Sequence, residues 1–165
     1  MKEISPYELD FNAFNKFYKE WALIVVKGKN EDNAMTIAWG QLGILWSRPT
    51  MTVYVRNNRY TKHLLDEADT FSVCFFSNEY KDKLSLCGTK SRSEIDKISE
   101  CNFTRVYNDE TLFLKEAKYT FILKKLYSVD MPINESTLPT IKKHYNENEF
   151  HTQYIGEIEK IIIND

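Results

Sequence analysis

The residues best suited to chemistry fall in two stretches, Asn33-Ala34-Met35-Thr36-Ile37-Ala38-Trp39-Gly40 and Val55-Arg56-Asn57-Asn58-Arg59-Tyr60-Thr61. A phosphate needs cations and hydroxyls that converge from fixed elements, and the planar fork of arginine suits that task better than lysine. Arg56 ends an alternating segment, Arg59 lies in the turn that follows, and Thr61 stands where a short helix would begin. Free amides at that helix N-terminus would add donors aimed the same way. The residues alone leave a second reading open: a solvated basic turn followed by a threonine cap.

Other chemistries find little support. There is no G-x-G-x-x-G and no G-K-[ST], so the common phosphate-cradling loops are absent, and no G-x-S-x-G marks a nucleophile. Cys74, Cys87 and Cys101 are an odd, widely spaced set without a C-x-x-C pair. None of His63, His144 and His151 has a second ligand at metal spacing, so no metal site is expected. Cys74 sits in an apolar run and reads as a small core residue. A formal net charge of −2 speaks against a nucleic-acid partner. No run approaches the roughly 18 apolar residues of a membrane span, and Met1 to Pro6 lack the layout of a signal peptide. A cytoplasmic protein without a membrane partner is the expectation.

The elements that must position these residues read mostly as strands. Ala22 to Val26 is a β-branched run ending in a turn at Lys27 to Asn30, and Met35 to Trp39 is a second extended piece. From Thr50 to Arg56, Met51, Val53 and Val55 alternate with Thr52, Tyr54 and Arg56, as a strand with one buried face requires. Further strands are expected at Phe71 to Phe76, Thr111 to Lys115, Tyr119 to Ser128 and His151 to Ile163. The spacing of Phe11, Phe14, Phe17 and Trp21 predicts a short amphipathic helix near the start. Short helices are also expected at Lys62 to Ala68, capped by Thr61, and at Glu79 to Leu86, ended by a left-handed Gly88. Two more are expected, from Ser93 to about Ser99 and from Leu138 to Tyr145. At 165 residues the chain suits a single domain, since domains cluster near about 100–150 residues. The pattern is mainly β with short helices (α+β), an antiparallel barrel with helical decoration.

Trp21 to Gly28, Asn33 to Gly40, the turn Trp46-Ser47-Arg48-Pro49, Val55 to Thr61 and His151 to Glu157 together resemble the flavin reductase-like, FMN-binding split-barrel family. Specifically, they resemble its short flavoredoxin-like members. The resemblance runs from about Trp21 to Ile163, and the pairing of N-x-M-T-I-x-W-G with V-R-x-x-R-Y-T makes it specific. It implies a six-stranded antiparallel split barrel of Greek-key type spanning residues 1–165, a homodimer, and one FMN per subunit near the dimer interface. By the same resemblance Met35, Thr36, Ile37, Ala38 and Trp39 would run along the flavin edge, largely through main-chain amides. Arg56, Arg59, Tyr60 and Thr61 would surround the phosphate and ribityl chain. Trp39 either covers the ring or closes the barrel end.

A third segment departs from the family pattern. Where relatives have a Ser-Gly-Arg-Asp-like turn leading to Asp-Lys, this chain has Ser91-Arg92-Ser93-Glu94-Ile95-Asp96-Lys97. Without the glycine the loop is expected to take another path, because glycine permits a positive φ that arginine does not favour. Ser91 and Lys97 are expected near the cofactor, reaching it across the dimer; a helix cap and a solvated lysine are the other reading. His151, with Tyr154, Gly156 and Glu157, would lie on the substrate side of the flavin. The implied activity is FMN reduction by NADH or NADPH, with electrons passed to an unknown acceptor, possible acceptor proteins included. The alternatives are a flavoredoxin-type electron carrier and a non-catalytic flavin-binding module. Hydride transfer is the cofactor's own chemistry, so no catalytic side chain is assigned.

Overall fold

A computed structural model describes residues 1–164. In chain order the elements are β1 (Lys2–Ile4), α1 (Ala13–Asn15), β2 (Ala22–Lys27), β3 (Asp32–Ile37), β4 (Gly40–Leu45) and β5 (Arg48–Arg56). Then come α2 (Tyr60–Glu67), β6 (Thr70–Phe75), α3 (Lys81–Thr89), α4 (Lys97–Glu100), β7 (Arg105–Asn108) and β8 (Thr111–Leu114). The chain ends with β9 (Tyr119–Met131), α5 (Pro139–Lys142) and β10 (His151–Ile163).

Seven strands lie in the order β3-β2-β6-β9-β10-β5-β4, and β1 adds to β10 to make an eight-stranded sheet. Every pairing in it is antiparallel. The sheet curls until β3 packs against β5, so the strands from β3 to β5 wrap a barrel to which β4 and β1 are additions. The mainly β fold with short helices is therefore the expected one, with more strands than the six of the family barrel. β7 and β8 form a separate hairpin outside.

Two cores explain the sequence pattern. Ile24, Val26, Met35, Met51, Val53, Val55, Phe71 and Phe121 point into the barrel. Leu23, Val25, Ala34 and Cys74 point outward, into a second apolar cluster with Leu84, Cys87, Ile98, Phe103 and Leu112. Strand β2 is thus buried on both faces, which is why Ala22 to Val26 is apolar without alternation. β10 bends where its register with β9 shifts at Ile155/Gly156. A Cβ at Gly156 would sit 3.0 Å from Leu123 Cβ and 3.2 Å from the Phe71 ring, so only glycine lets the strands close there.

Several local expectations need correction. The short helix expected between Phe11 and Trp21 is present as one unbroken stretch: α1 passes directly into a π-helical turn over Lys16–Glu20, and Trp21 at φ 67° ends it. Phe11, just before the helix, and Phe17, within it, pack inward against Phe75, but Phe14 is exposed, so the apolar face is narrower than the spacing predicts. Thr61 does not cap α2: it lies in the first turn, Arg59 holds the cap position, and no side chain caps it. Gly88 lies within α3, not in a left-handed cap; its missing Cβ allows close approach to Thr36. The helix expected from Ser93 shrinks to α4, capped by Asp96, and the one at Leu138 shrinks to α5. Strand β4 went unread, and its turn into β5 uses Trp46 and Ser47 at φ 51° and 58°, where glycine or asparagine is the usual signal. No helix among the described residues is long and apolar enough to cross a membrane.

Candidate functional site

Strand β3 is a terminal strand of the sheet, bonded only to β2. In an antiparallel pair alternate amides point away from the partner, so one edge of β3 carries main-chain donors without a strand to receive them. Met35 and Ile37 anchor the strand in the barrel. The Thr36 hydroxyl faces the other way and donates to the Leu84 carbonyl of α3, so its side chain is already committed. Beyond Ile37, Ala38 and Trp39 cross to β4. The turn from β5 into α2 comes up beside this edge. Met35 to Trp39, Tyr54, Arg56, Arg59, Gly88 and His151 line one cavity of about 170 Å³. The two stretches singled out in the sequence therefore meet in space.

The side chains of the second stretch are not equivalent. Arg59 is exposed and has no ion-pair partner among the described residues. Arg56 is engaged: Nη1 lies 3.0 Å from the Glu149 carboxylate, Nη2 donates to the His144 carbonyl at 3.1 Å, and its guanidinium lies 5.4 Å from the Tyr145 ring centre. The Tyr60 hydroxyl donates to Glu31. Thr61 is buried and accepts from Asn33 Nδ2 at 2.8 Å, while Asn33 Oδ1 is buried with no partner among the described residues.

Ser91 and Lys97 do not line the cavity. Ser91 holds its own turn, its amide donating to Glu94 and its hydroxyl lying 2.9 Å from that of Ser93. Lys97 is neither exposed nor solvated; it is buried behind the cavity wall and donates to the Cys87 carbonyl at 3.1 Å. Burial lowers its pKa. The loop's path follows from its anchors. Arg92 donates to the Asp32 carbonyl at 3.0 Å, and Arg105 forks to the carboxylates of Asp32 and Asp96 at 2.7 and 2.8 Å.

A second, larger cavity of about 770 Å³ adjoins the first and shares Ala38, Trp39, Tyr54 and His151 with it. Burial, reinforced by Arg56 and Arg59, pushes the His151 imidazole down to about 4. Its Nδ1 is 2.8 Å from the Tyr145 hydroxyl, and its ring centre is 4.7 Å from that of Trp39. Sequence reasoning missed Tyr54, Tyr145 and Glu149. Tyr54 carried a signal, since it shares the outward phase of β5 with Arg56. Tyr145 and Glu149 sit in a polar stretch and carried none. Among the described residues no cluster of three metal-ligating side chains exists.

Neither a family model nor a curated protein sequence matches the chain. Solved structures do. A flavoredoxin from Methanosarcina acetivorans superposes with a TM-score of 0.72 at 19% identity, over 96% of this chain and 76% of that one. An FMN-binding protein from Thermus thermophilus with bound p-hydroxybenzaldehyde gives 0.70 at 17% identity, over 100% and 83%. A flavoredoxin of Desulfovibrio vulgaris gives 0.70 at 20% identity, over 100% and 78%. These superpositions give the fold: the chain has the split-barrel fold of flavoredoxins and flavin reductases.

Proposed function

We propose that this chain binds FMN and acts as an oxidoreductase that takes electrons from NADH or NADPH and delivers them to an acceptor. The observation that carries the reading is a convergence on one small cavity. The unpaired edge of β3 and the guanidinium of Arg59, which has no ion-pair partner among the described residues, line it, and α2, capped by no side chain, starts directly after Arg59. Amides and a cation with nothing else to bond fit a flavin edge and a phosphate of about two negative charges. Behind the cavity, Asn33 Oδ1, buried beside Thr61, has no donor among the described residues. About 170 Å³ is less than the roughly 300–1,000 Å³ of common ligand sites, so the ring end must extend into the adjoining cavity past Trp39.

In this reading Arg59 and the first amides of α2 hold the phosphate, and the main chain from Met35 to Trp39 orients the ring. Trp39, Tyr54 and His151 wall the ring end and exclude water. Bound FMN would supply the hydride and electron chemistry; the protein's part is orientation and a preorganised row of donors. The test is anaerobic addition of NADH and then NADPH to FMN-loaded protein, followed by visible absorbance. Bleaching by either is expected. Colour that persists with both, yet is lost with dithionite, would contradict a nicotinamide donor and leave an electron carrier fed by another protein.

A further inference from the structure

The larger cavity is built of apolar and aromatic groups such as Phe14, Tyr18, Trp39, Leu42 and Met131, and no Lys, Arg, Asp or Glu side chain lines it. Its polar wall is small. Tyr145 and His151 form a hydrogen-bonded pair at 2.8 Å, and Tyr54 stands on the wall shared with the smaller cavity. Burial raises the Tyr145 phenol's pKa, so it keeps its proton and can donate to Nδ1, leaving Nε2–H as the imidazole's free donor. Of the two arginines whose charge reaches His151, Arg56 is held by Glu149, and in the flavin reading Arg59 is taken by the phosphate, so neither has much charge to offer a ligand here.

Resting on the flavin reading above, we infer that the part of this cavity beyond the flavin ring end is the acceptor subsite and takes a neutral, planar carbonyl compound, an aromatic aldehyde, conjugated ketone or quinone. The flat ring lies against Trp39, and the carbonyl oxygen accepts from the Tyr145–His151 pair. A carboxylate of the same shape is disfavoured, because burying an anion without a cation beside it is costly. His151 is the group that touches the ligand; Tyr145 is a positioning residue acting through it.

The experiment uses 4-methoxybenzaldehyde, 4-methoxybenzoate and 4-methoxytoluene as probes. Binding is followed by tryptophan fluorescence and by perturbation of the spectrum of bound FMN. The aldehyde should bind at least roughly tenfold more tightly than the benzoate. Tyr145→Phe and His151→Asn should each weaken the aldehyde by roughly three- to tenfold, the size of one ordinary hydrogen bond. Neither should change the affinity of the toluene, which has no carbonyl; a merely structural role for Tyr145 would weaken both. Tyr145→Phe removes one hydroxyl from a partly exposed site, which keeps the test independent of any folding defect in His151→Asn. FMN uptake, read separately from its own absorbance, decides the flavin reading. Benzoate binding as tight as aldehyde, or aldehyde binding indifferent to both substitutions, overturns the acceptor subsite whether or not FMN is taken up.

Discussion

Arg56 and Arg59 stand three positions apart and are set different tasks. In the sequence they form one basic turn; in the structure Arg56 is paired with Glu149, 93 residues away, and Arg59 is left available. No local pattern announces such a pairing, because it depends on where β10 begins. His151 is the other residue whose state is set by distant neighbours. Burial, with Arg56 and Arg59 beside it, holds it neutral down to about pH 4. Its ordinary value is about 6.5, so as the pH falls the unfolded chain takes up this proton first. Stability should therefore decline between about pH 6.5 and 4 and level off below, by at most about 3 kcal/mol from this group. Urea unfolding of the wild type and His151→Gln at pH 7 and 4.5 measures it. The wild type should lose more stability than the variant; equal losses would contradict a buried neutral imidazole. What was readable at this scale was chemical type: arginines, amides and a histidine were identified, but not which were already spent.

The connection between β9 and β10, residues 132–150, forms a strap that reaches the larger cavity through Tyr145. It is fastened by Arg56 to Glu149, by Asn58 to Glu149 at 2.8 Å, and by Asn57 Nδ2 to the Asn148 carbonyl at 2.9 Å. Removing Arg56 loses a charge-assisted contact and leaves Glu149 with only neutral donors. Arg56→Ala should open the strap and speed tryptic cleavage at Lys142 and Lys143 by roughly tenfold. Cleavage at the wild-type rate would mean the guanidinium holds nothing. The elements that were legible are those whose burial is regular: β5 alternates, while β2, β6 and β10 are buried runs. Strand β4 is largely exposed, and its turn lacks the usual residues, so it gave no signal. The spacing of Phe14 and Phe17 did mark a real helical stretch, but its passage from α into π geometry turns Phe14 out to solvent while Phe17 is buried. Cys87 and Cys101, apart in sequence, meet at 3.8 Å because α3 and α4 pack on the same side of the sheet. Burial pushes the Cys87 thiol up to about 12 and raises that of Cys101 too, which disfavours a thiolate at either.

At the scale of the molecule, the outer face of the sheet carries Leu45, Trp46, Tyr127, Val129 and Met131, all exposed. Exposed apolar side chains of this kind, with Trp46 and Tyr127 6.2 Å apart, are suited to a two-fold copy of the chain. Light scattering at micromolar concentration should give twice the 19.5 kDa of the chain; a monomer would contradict the dimer. The barrel was legible because its strands are buried in regular ways, whereas the site depends on contacts between β3, β5 and the strap that no single stretch encodes. The central claim is that β3, α2 and Arg59 form a flavin phosphate and ring-edge site. Titration of cofactor-free protein with FMN, followed by flavin fluorescence, tests it most directly. The expected result is saturable binding of one FMN per chain, weakened roughly ten- to a hundredfold by Arg59→Ala and much less by Arg56→Ala. An absence of saturable binding, or an affinity that Arg59→Ala leaves unchanged, would contradict it.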